Sequence, residues 1–161
     1  MSQGDLFGQS NGVDIEQLRR WAREKIVRCP CCEGNIKVYR SPLGVTTRVL
    51  VWMVRATLPG EYCHVPSAPT GWLAGGGDYA KLRYWGLIEG CPEPVGDDKR
   101  ASGRWRLTTL GRDFALRRAT VPSHCFWRHP GGVLGFEPET VDIVTALGKN
   151  FDYGALLRGE A

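Results

Sequence analysis

The 161-residue chain has no long apolar run, and the longest, Val49 to Val54, is far short of the ~18 residues that a membrane span needs. No basic start leads into an apolar stretch at the N-terminus, so no secretory signal is read and the expected compartment is the cytoplasm. Histidine is scarce: His64, His124 and His129 are the three present, and they stand in no metalloprotease, nuclease or triad arrangement. The glycines at 75–77 lack the Lys-Ser/Thr that follows in a phosphate loop, and no internal repeat is present. The reading is therefore non-enzymatic, with no small-molecule substrate and no membrane partner.

What is present is large side chains and arginine. Six Trp, five Tyr and five Phe in a chain that is 42% hydrophobic supply one compact core, which excludes disorder as the main state and makes disulfides unnecessary. Lysine is sparse, since 16 of the 21 cations are Arg, the side chain best suited to phosphate or carboxylate contacts and to stacking on bases. Residues 1–128 carry 19 Lys/Arg against 12 Asp/Glu, whereas 129–161 carry 2 against 5. A basic body with an acidic end favours a polyanionic partner, although an arginine-rich genome gives the same bias.

Six cysteines stand at 29, 31, 32, 63, 91 and 125. Without a secretory signal, reduced thiols or a metal site are expected in place of a disulfide framework. Cys29 and Cys32 have the C-x2-C spacing that puts two thiolates on one tetrahedral zinc, with Cys31 an alternative ligand. That is half a site. The rest would have to come from Cys63 and His64 or from His124 and Cys125, because no second C-x2-C and no H-x3-H exists. The other reading is a reduced turn that packs the first helix onto a strand, with Cys63 and Cys125 as buried free thiols.

Patterning divides the chain into a flexible tail (1–13), an N-terminal helix and Cys knuckle (14–41), a central domain (42–119) and a C-terminal extension (120–161). Asp14 with Gln17 makes a capping box, and Ile15, Leu18, Trp21, Ala22 and Ile26 recur at helical spacing, with Arg19, Arg20, Arg23 and Glu24 outward. After Cys29 to Gly34, Ile36, Val38 and Arg40 alternate as a strand. Ser41 and Pro42 then read as a helix start, Val45, Val49, Leu50, Met53 and Val54 as its buried stripe, and Leu58-Pro59-Gly60 as its stop. A short strand at Tyr62–Val65 and a short helix anchored by Trp72 and Leu73 are expected next.

Asp78 caps a helix that turns Tyr79, Leu82 and Trp85 inward and, at 100° per residue, Lys81, Arg83 and Tyr84 to its flanks and outer side. Gly86 ends it, and Leu87 and Ile88 start a strand. A long loop follows from Gly90 to Gly103, with Arg104 to Leu107 as the returning strand and Thr108 as cap of a helix through Leu110, Phe114 and Leu116. A second hairpin (123–136), a helix from about Glu139 to Leu147 and a short one at Tyr153–Leu157 complete the pattern.

The segment Lys81-Leu-Arg-Tyr-Trp-Gly-Leu-Ile88, a loop, and then Gly103-Arg-Trp-Arg-Leu-Thr108-Thr-Leu-Gly111-Arg-Asp-Phe114 resembles winged-helix proteins, MarR-type regulators in particular, over about residues 42–118. The resemblance implies an α+β fold: a winged helix-turn-helix core with an N-terminal helix and Cys knuckle and a C-terminal β-hairpin plus short helices. It also implies DNA binding, with the third helix in the major groove and the wing on phosphate or the minor groove. Carried over, Lys81, Arg83 and Tyr84 face the groove, while Lys99, Arg100, Arg104 and Arg106 are the wing's cationic contacts. Against this, Gly75-Gly76-Gly77 replaces a polar turn, the helix is poor in donors for base edges, and Asp97 and Asp98 offset the wing cations.

The whole chain also resembles small phage and prophage proteins that join a Cys-Pro-Cys-Cys knuckle to such a domain and end in a Val-Pro hairpin and a Leu-Gly-Phe strand. The expected function is a phage or prophage DNA-binding regulator or accessory factor. The alternative is a module that binds a protein, for example a host polymerase or defence complex, through Trp72, Trp127 and the arginine-rich first helix. A thiol- or metal-dependent enzyme is the third reading.

Overall fold

The computed structural model describes residues 15–73, 76–92, 103–129 and 132–160. The expected tail 1–13, the Asp14 cap, Gly75, the Pro130 turn and most of the expected wing, with Asp97, Asp98, Lys99 and Arg100, lie outside them. The fold is mixed α+β.

The chain enters through helix α1 (Ile15–Glu24). Ala22 is its buried anchor, and the Ala22 carbonyl accepts from the Val38 N–H at 2.8 Å. The expected apolar stripe does not bury throughout, because Trp21 stays 38% and Ile26 59% exposed. The element that follows α1 is a two-stranded ribbon, too small to cover the far side of the helix. Its strands β1 (Val27–Arg28) and β2 (Asn35–Ile36) pair Val27 with Ile36 and Arg28 with Asn35.

The single strand expected over 36–40 is broken, since Val38 bonds to α1, and β3 (Tyr39–Pro42) joins a different sheet. Ser41 and Pro42 are therefore strand residues and do not start a helix. The Ser41 hydroxyl accepts from Trp127 Nε1 at 2.8 Å, and Pro42 is tolerated because β3 is an edge strand. A 3-10 turn (Val45–Thr47), closed by Thr47 Oγ1 donating to the Gly44 carbonyl at 2.8 Å, leads into α2 (Arg48–Ala56). Val49, Leu50, Val51 and Met53 are all buried, so α2 is apolar around most of its girth and forms the centre of the core. Val45, expected in that stripe, is exposed on the preceding turn.

Beyond α2 come β4 (Cys63–His64), a 3-10 turn (Val65–Ser67), a 3-10 helix (Gly76–Trp85), β5 (Ile88–Gly90), β6 (Arg104–Leu107) and α3 (Thr109–Ala115). Trp72 and Leu73 lie in turns, with no helix there, and Trp72 is only 4% exposed. The strands form an antiparallel sheet of order β4-β6-β5, with Cys63 opposite Trp105, Ile88 opposite Leu107 and Glu89 opposite Arg106. Alternation along β6 sends Trp105 and Leu107 into the core, and Arg104 and Arg106 to the other face.

One close approach locks the two halves of this unit. Thr108 caps α3 by accepting from the Gly111 N–H at 2.9 Å, and the same hydroxyl donates to the Gly86 carbonyl at 2.5 Å. The Thr108 N–H donates to the Leu87 carbonyl at 3.1 Å. A Cβ on Gly111 would lie 1.8 Å from that Leu87 oxygen, which is why glycine stands there.

The C-terminal segment forms β7 (Val121–Pro122), β8 (His124–Arg128), β9 (Gly132–Phe136), β10 (Thr140–Val141), α4 (Ile143–Leu147) and α5 (Tyr153–Arg158). Strand β7 pairs with β10, so the helix expected from Glu139 begins only after Asp142, whose carboxylate accepts from the Thr145 N–H at 2.8 Å. Strand β8 lies between β3 and β9. A bulge between Phe126 and Trp127 leaves Leu134 without a cross-strand partner. Trp85 Nε1 donates to the Pro122 carbonyl at 2.7 Å and Tyr153 Oη to the Ala115 carbonyl at 2.7 Å, which fastens this segment to the centre.

Candidate nucleic-acid interface

The 3-10 geometry of Gly76–Trp85 rearranges the side chains expected to face a groove. At three residues per turn, 79, 82 and 85 form one row, 78, 81 and 84 a second, and 80 and 83 a third. The first row is the core row: Leu82 and Trp85 are buried, and Tyr79 meets Trp105 edge-on at 6.2 Å. Lys81 and Tyr84 therefore share a row, while Arg83, expected beside them, lies on another.

That second row leans on the C-terminal sheet, with the Lys81 and Asp78 side chains still partly exposed. Lys81 Nζ lies 5.6 Å over the Trp127 ring and pairs with Asp78 Oδ1 at 2.9 Å. The Tyr84 ring is 5.6 Å from Trp127, tilted by 35°. Trp127 in turn stacks on Tyr39, its partner across the β3–β8 ladder, at 4.7 Å and 22°. Lys37 Nζ lies 5.2 Å over Tyr39, and the Arg83 guanidinium 5.4 Å from the Tyr84 ring. The result is a run of three aromatic rings with Lys37, Lys81 and Arg83 set against them. Sequence reasoning missed Lys37 and Tyr39. Tyr39 and Trp127 are far apart in the chain and meet only through the strand register, so neither periodicity nor spacing marks them.

The cations on β6 lie elsewhere. Arg106 donates from Nε to Glu89 Oε1, its cross-strand neighbour, and its guanidinium lies 4.9 Å over Tyr62. The hydrogen bond and charge of Glu89 hold the Arg106 pKa above its ordinary value. Arg104 is exposed opposite His64. Both side chains leave the sheet on the face opposite Trp105, whereas the 3-10 helix packs on the Trp105 face. Among the described residues the helix and strand cations thus occupy separate surfaces and do not form the single face expected. Lys99 and Arg100 lie outside those residues.

The knuckle is a tight turn between β1 and β2. The Cys29 N–H donates to the Gly34 carbonyl at 2.8 Å, the Glu33 N–H to the Cys29 carbonyl at 2.9 Å, and Glu33 takes a left-handed φ of 57°. Hydrogen bonding from Cys32 and then Cys31 holds the Cys29 pKa below the ordinary thiol value. The ligands expected to complete a zinc site are not brought to it. The Cys63 thiol donates to the Trp105 carbonyl at 3.6 Å and has its pKa raised by burial. Cys125 is fully buried in the core, and burial pushes its pKa up to about 11. His64 and His124 are bonded to Ser67 and Ser123. Among the described residues, no group of three His, Cys, Asp or Glu is placed to hold a metal ion, and no helix is long and apolar enough to cross a membrane.

No family model matches the chain, and neither does any curated protein or solved structure.

Proposed function

We propose that the chain binds DNA through a winged-helix core over residues 42–118, with the contact surface displaced onto the joint between the 3-10 helix and the β3–β8 pair. The winged-helix reading is supported by the order helix, strand, helix, strand, strand and by the sheet order β4-β6-β5. The observation that carries the binding reading is the run of three packed rings, Tyr39, Trp127 and Tyr84, with the cations Lys37, Lys81 and Arg83 set against them. Cations held at aromatic faces are positioned to meet phosphates without losing much side-chain freedom on binding.

Base reading is weak in this arrangement. Lys81 is tied to Asp78 and Tyr84 packs on Trp127, which leaves few donors for base edges. Binding is directed to the backbone and tolerant of sequence, which fits an accessory factor of the phage or prophage kind better than an operator-reading regulator. The test is fluorescence anisotropy on a generic duplex between roughly 50 and 200 mM salt. Affinity falls steeply with salt, and the triple variant Lys37→Ala, Lys81→Ala, Arg83→Ala lowers the slope by about 2 to 3. Absence of binding at the lower salt, or an unchanged slope in the variant, refutes the proposal.

A protein partner is the second reading. It is favoured by edge strand β9, where Val133, Leu134 and Phe136 are 36%, 52% and 43% exposed. Trp72, expected as an anchor, is buried, and Trp127 is half-buried under Tyr84 and Tyr39. A Leu134→Glu variant that keeps its DNA affinity but loses a partner captured by the parent protein would separate the two surfaces.

A further inference from the structure

We propose that Cys29 and Cys32 form half of a tetrathiolate zinc site, and that a second copy of this chain supplies the other half. The first support is the shape of the turn. Hydrogen bonds from the Cys29 N–H to the Gly34 carbonyl and from the Glu33 N–H to the Cys29 carbonyl, with the left-handed Glu33, fix the loop that carries Cys29 and Cys32. A turn held by its own backbone bonds presents the C-x2-C pair already ordered for a ligand.

The second support is that the described residues of one chain do not bring four thiolates together. A structural zinc takes four ligands, and the knuckle's C-x2-C offers two. Cys63, Cys91, Cys125, His64, His124 and His129 lie in or beside other sheets, and no group of three potential ligands exists among the described residues. The remaining segments, 1–14, 74–75, 93–102, 130–131 and 161, contain neither Cys nor His in the sequence. A two-fold axis through the metal is the simplest closure, because each copy then gives the same pair.

The third support is access and charge. Residues 30–35 are exposed without interruption at the tip of a ribbon of two short strands, so another tip can approach without displacing any element. Trp21 and Ile26, just before the ribbon, leave apolar surface for a second copy to cover. Zinc with four thiolates carries a net charge of −2. Residues 15–40 hold seven Lys/Arg (Arg19, Arg20, Arg23, Lys25, Arg28, Lys37 and Arg40) against Glu16, Glu24 and Glu33, and two such segments offset that charge.

The experiment uses the full chain purified without added metal or chelator, then incubated with zinc. Elemental analysis and light scattering give about one zinc per two chains and twice the chain mass. A chelator removes the metal and returns the monomer. Cys32→Ser is monomeric and zinc-free, while Cys91→Ser keeps both properties. Cobalt in place of zinc gives the intense visible bands of a tetrahedral thiolate site. One zinc per monomeric chain, no zinc retained, or a dimer that survives both chelation and Cys32→Ser overturns the proposal. Neither readout involves DNA, so its failure is distinct from failure of the binding reading.

Discussion

Gly111→Ala adds one methyl group, and the structure fixes its direction. In an open helix, alanine is better than glycine by about 1 kcal/mol, so a merely helical role for Gly111 predicts stabilisation. Here the new Cβ would stand 1.8 Å from the Leu87 carbonyl oxygen and 2.7 Å from its carbon, both backbone atoms that cannot rotate away. Relief requires α3 to retreat by at least roughly 1 Å, which stretches the 3.1 Å bond from Thr108 N–H to the Leu87 carbonyl and loosens the buried Phe114 and Ala115. Overpacking of this kind costs about 1–3 kcal/mol, and the weakened hydrogen bond adds about 1 kcal/mol. Less the gain in propensity, the expected loss is about 1–3 kcal/mol, or a drop of about 2–12 °C in Tm for a chain of this size. Urea and thermal melts followed by circular dichroism read it directly. A variant as stable as the parent, or more so, refutes the contact between Gly111 and Leu87 and with it the lock between the two halves of the central unit.

Trp127→Ala removes the stack on Tyr39 and the bond to Ser41, and a loss of about 3 kcal/mol in a urea melt is expected. Tyr153→Phe forfeits the bond to the Ala115 carbonyl and costs about 1 kcal/mol by the same measurement. The Asp142 carboxyl is held below its ordinary value of 3.8, first by the Thr145 N–H and also by Arg117, so its contribution is complete above that value and is lost as pH falls through the lowered one. Asp142→Asn keeps an N-cap acceptor but not the charge, so the stability gap between parent and variant closes as pH falls below 3.8 and through the lowered value. In a thiol-reagent time course at pH 7, Cys29 reacts ahead of Cys63, and Cys125 reacts only on unfolding. Rapid modification of Cys125 in the folded protein would contradict its burial.

The parts legible in the sequence are those where local pattern and tertiary contact agree. Leu82, Trp85, Leu87, Ile88, Leu107 and Phe114 are apolar at the right spacing and are all buried. Thr108 reads as a cap and is one. The row 79, 82, 85 repeats every third residue, a spacing that an α-helix and a 3-10 helix both place on one side. The inward residues were therefore readable without knowing the helix type, whereas Lys81, Arg83 and Tyr84 were not, since 100° and 120° per residue scatter them differently. Ser41 and Pro42 carry genuine helix-start signals, but a pairing partner more than eighty residues away, β8, outweighs them. The candidate site suffers most from this. Lys81 and Arg83 were readable as cations of the helix, but Lys37 and the Tyr39–Trp127 stack come beside them only through the register of β3 on β8.

The C-terminal extension is part of the proposed interface and not a decoration beside it. Strand β3 enters from the N-terminal side and β8 from the C-terminal side, and they share one ladder. Trp127, at the outer end of that ladder, is the plate on which Lys81 and Tyr84 of the 3-10 helix rest. The same segment contributes Cys125, Ile143, Leu147 and Leu156 to the core that holds α2. Removing residues 120–161 would therefore take away the plate and open the core together, and a loss of DNA binding in that truncation would say nothing about contact. Point changes at Lys37 and Arg83 avoid this difficulty, because both side chains are exposed and neither reaches the core. If the surface works as a unit, each alone lowers the salt slope by about 1 and leaves the melt unchanged. Where slope and stability fall together, the aromatic run is a structural seam and the binding surface lies elsewhere.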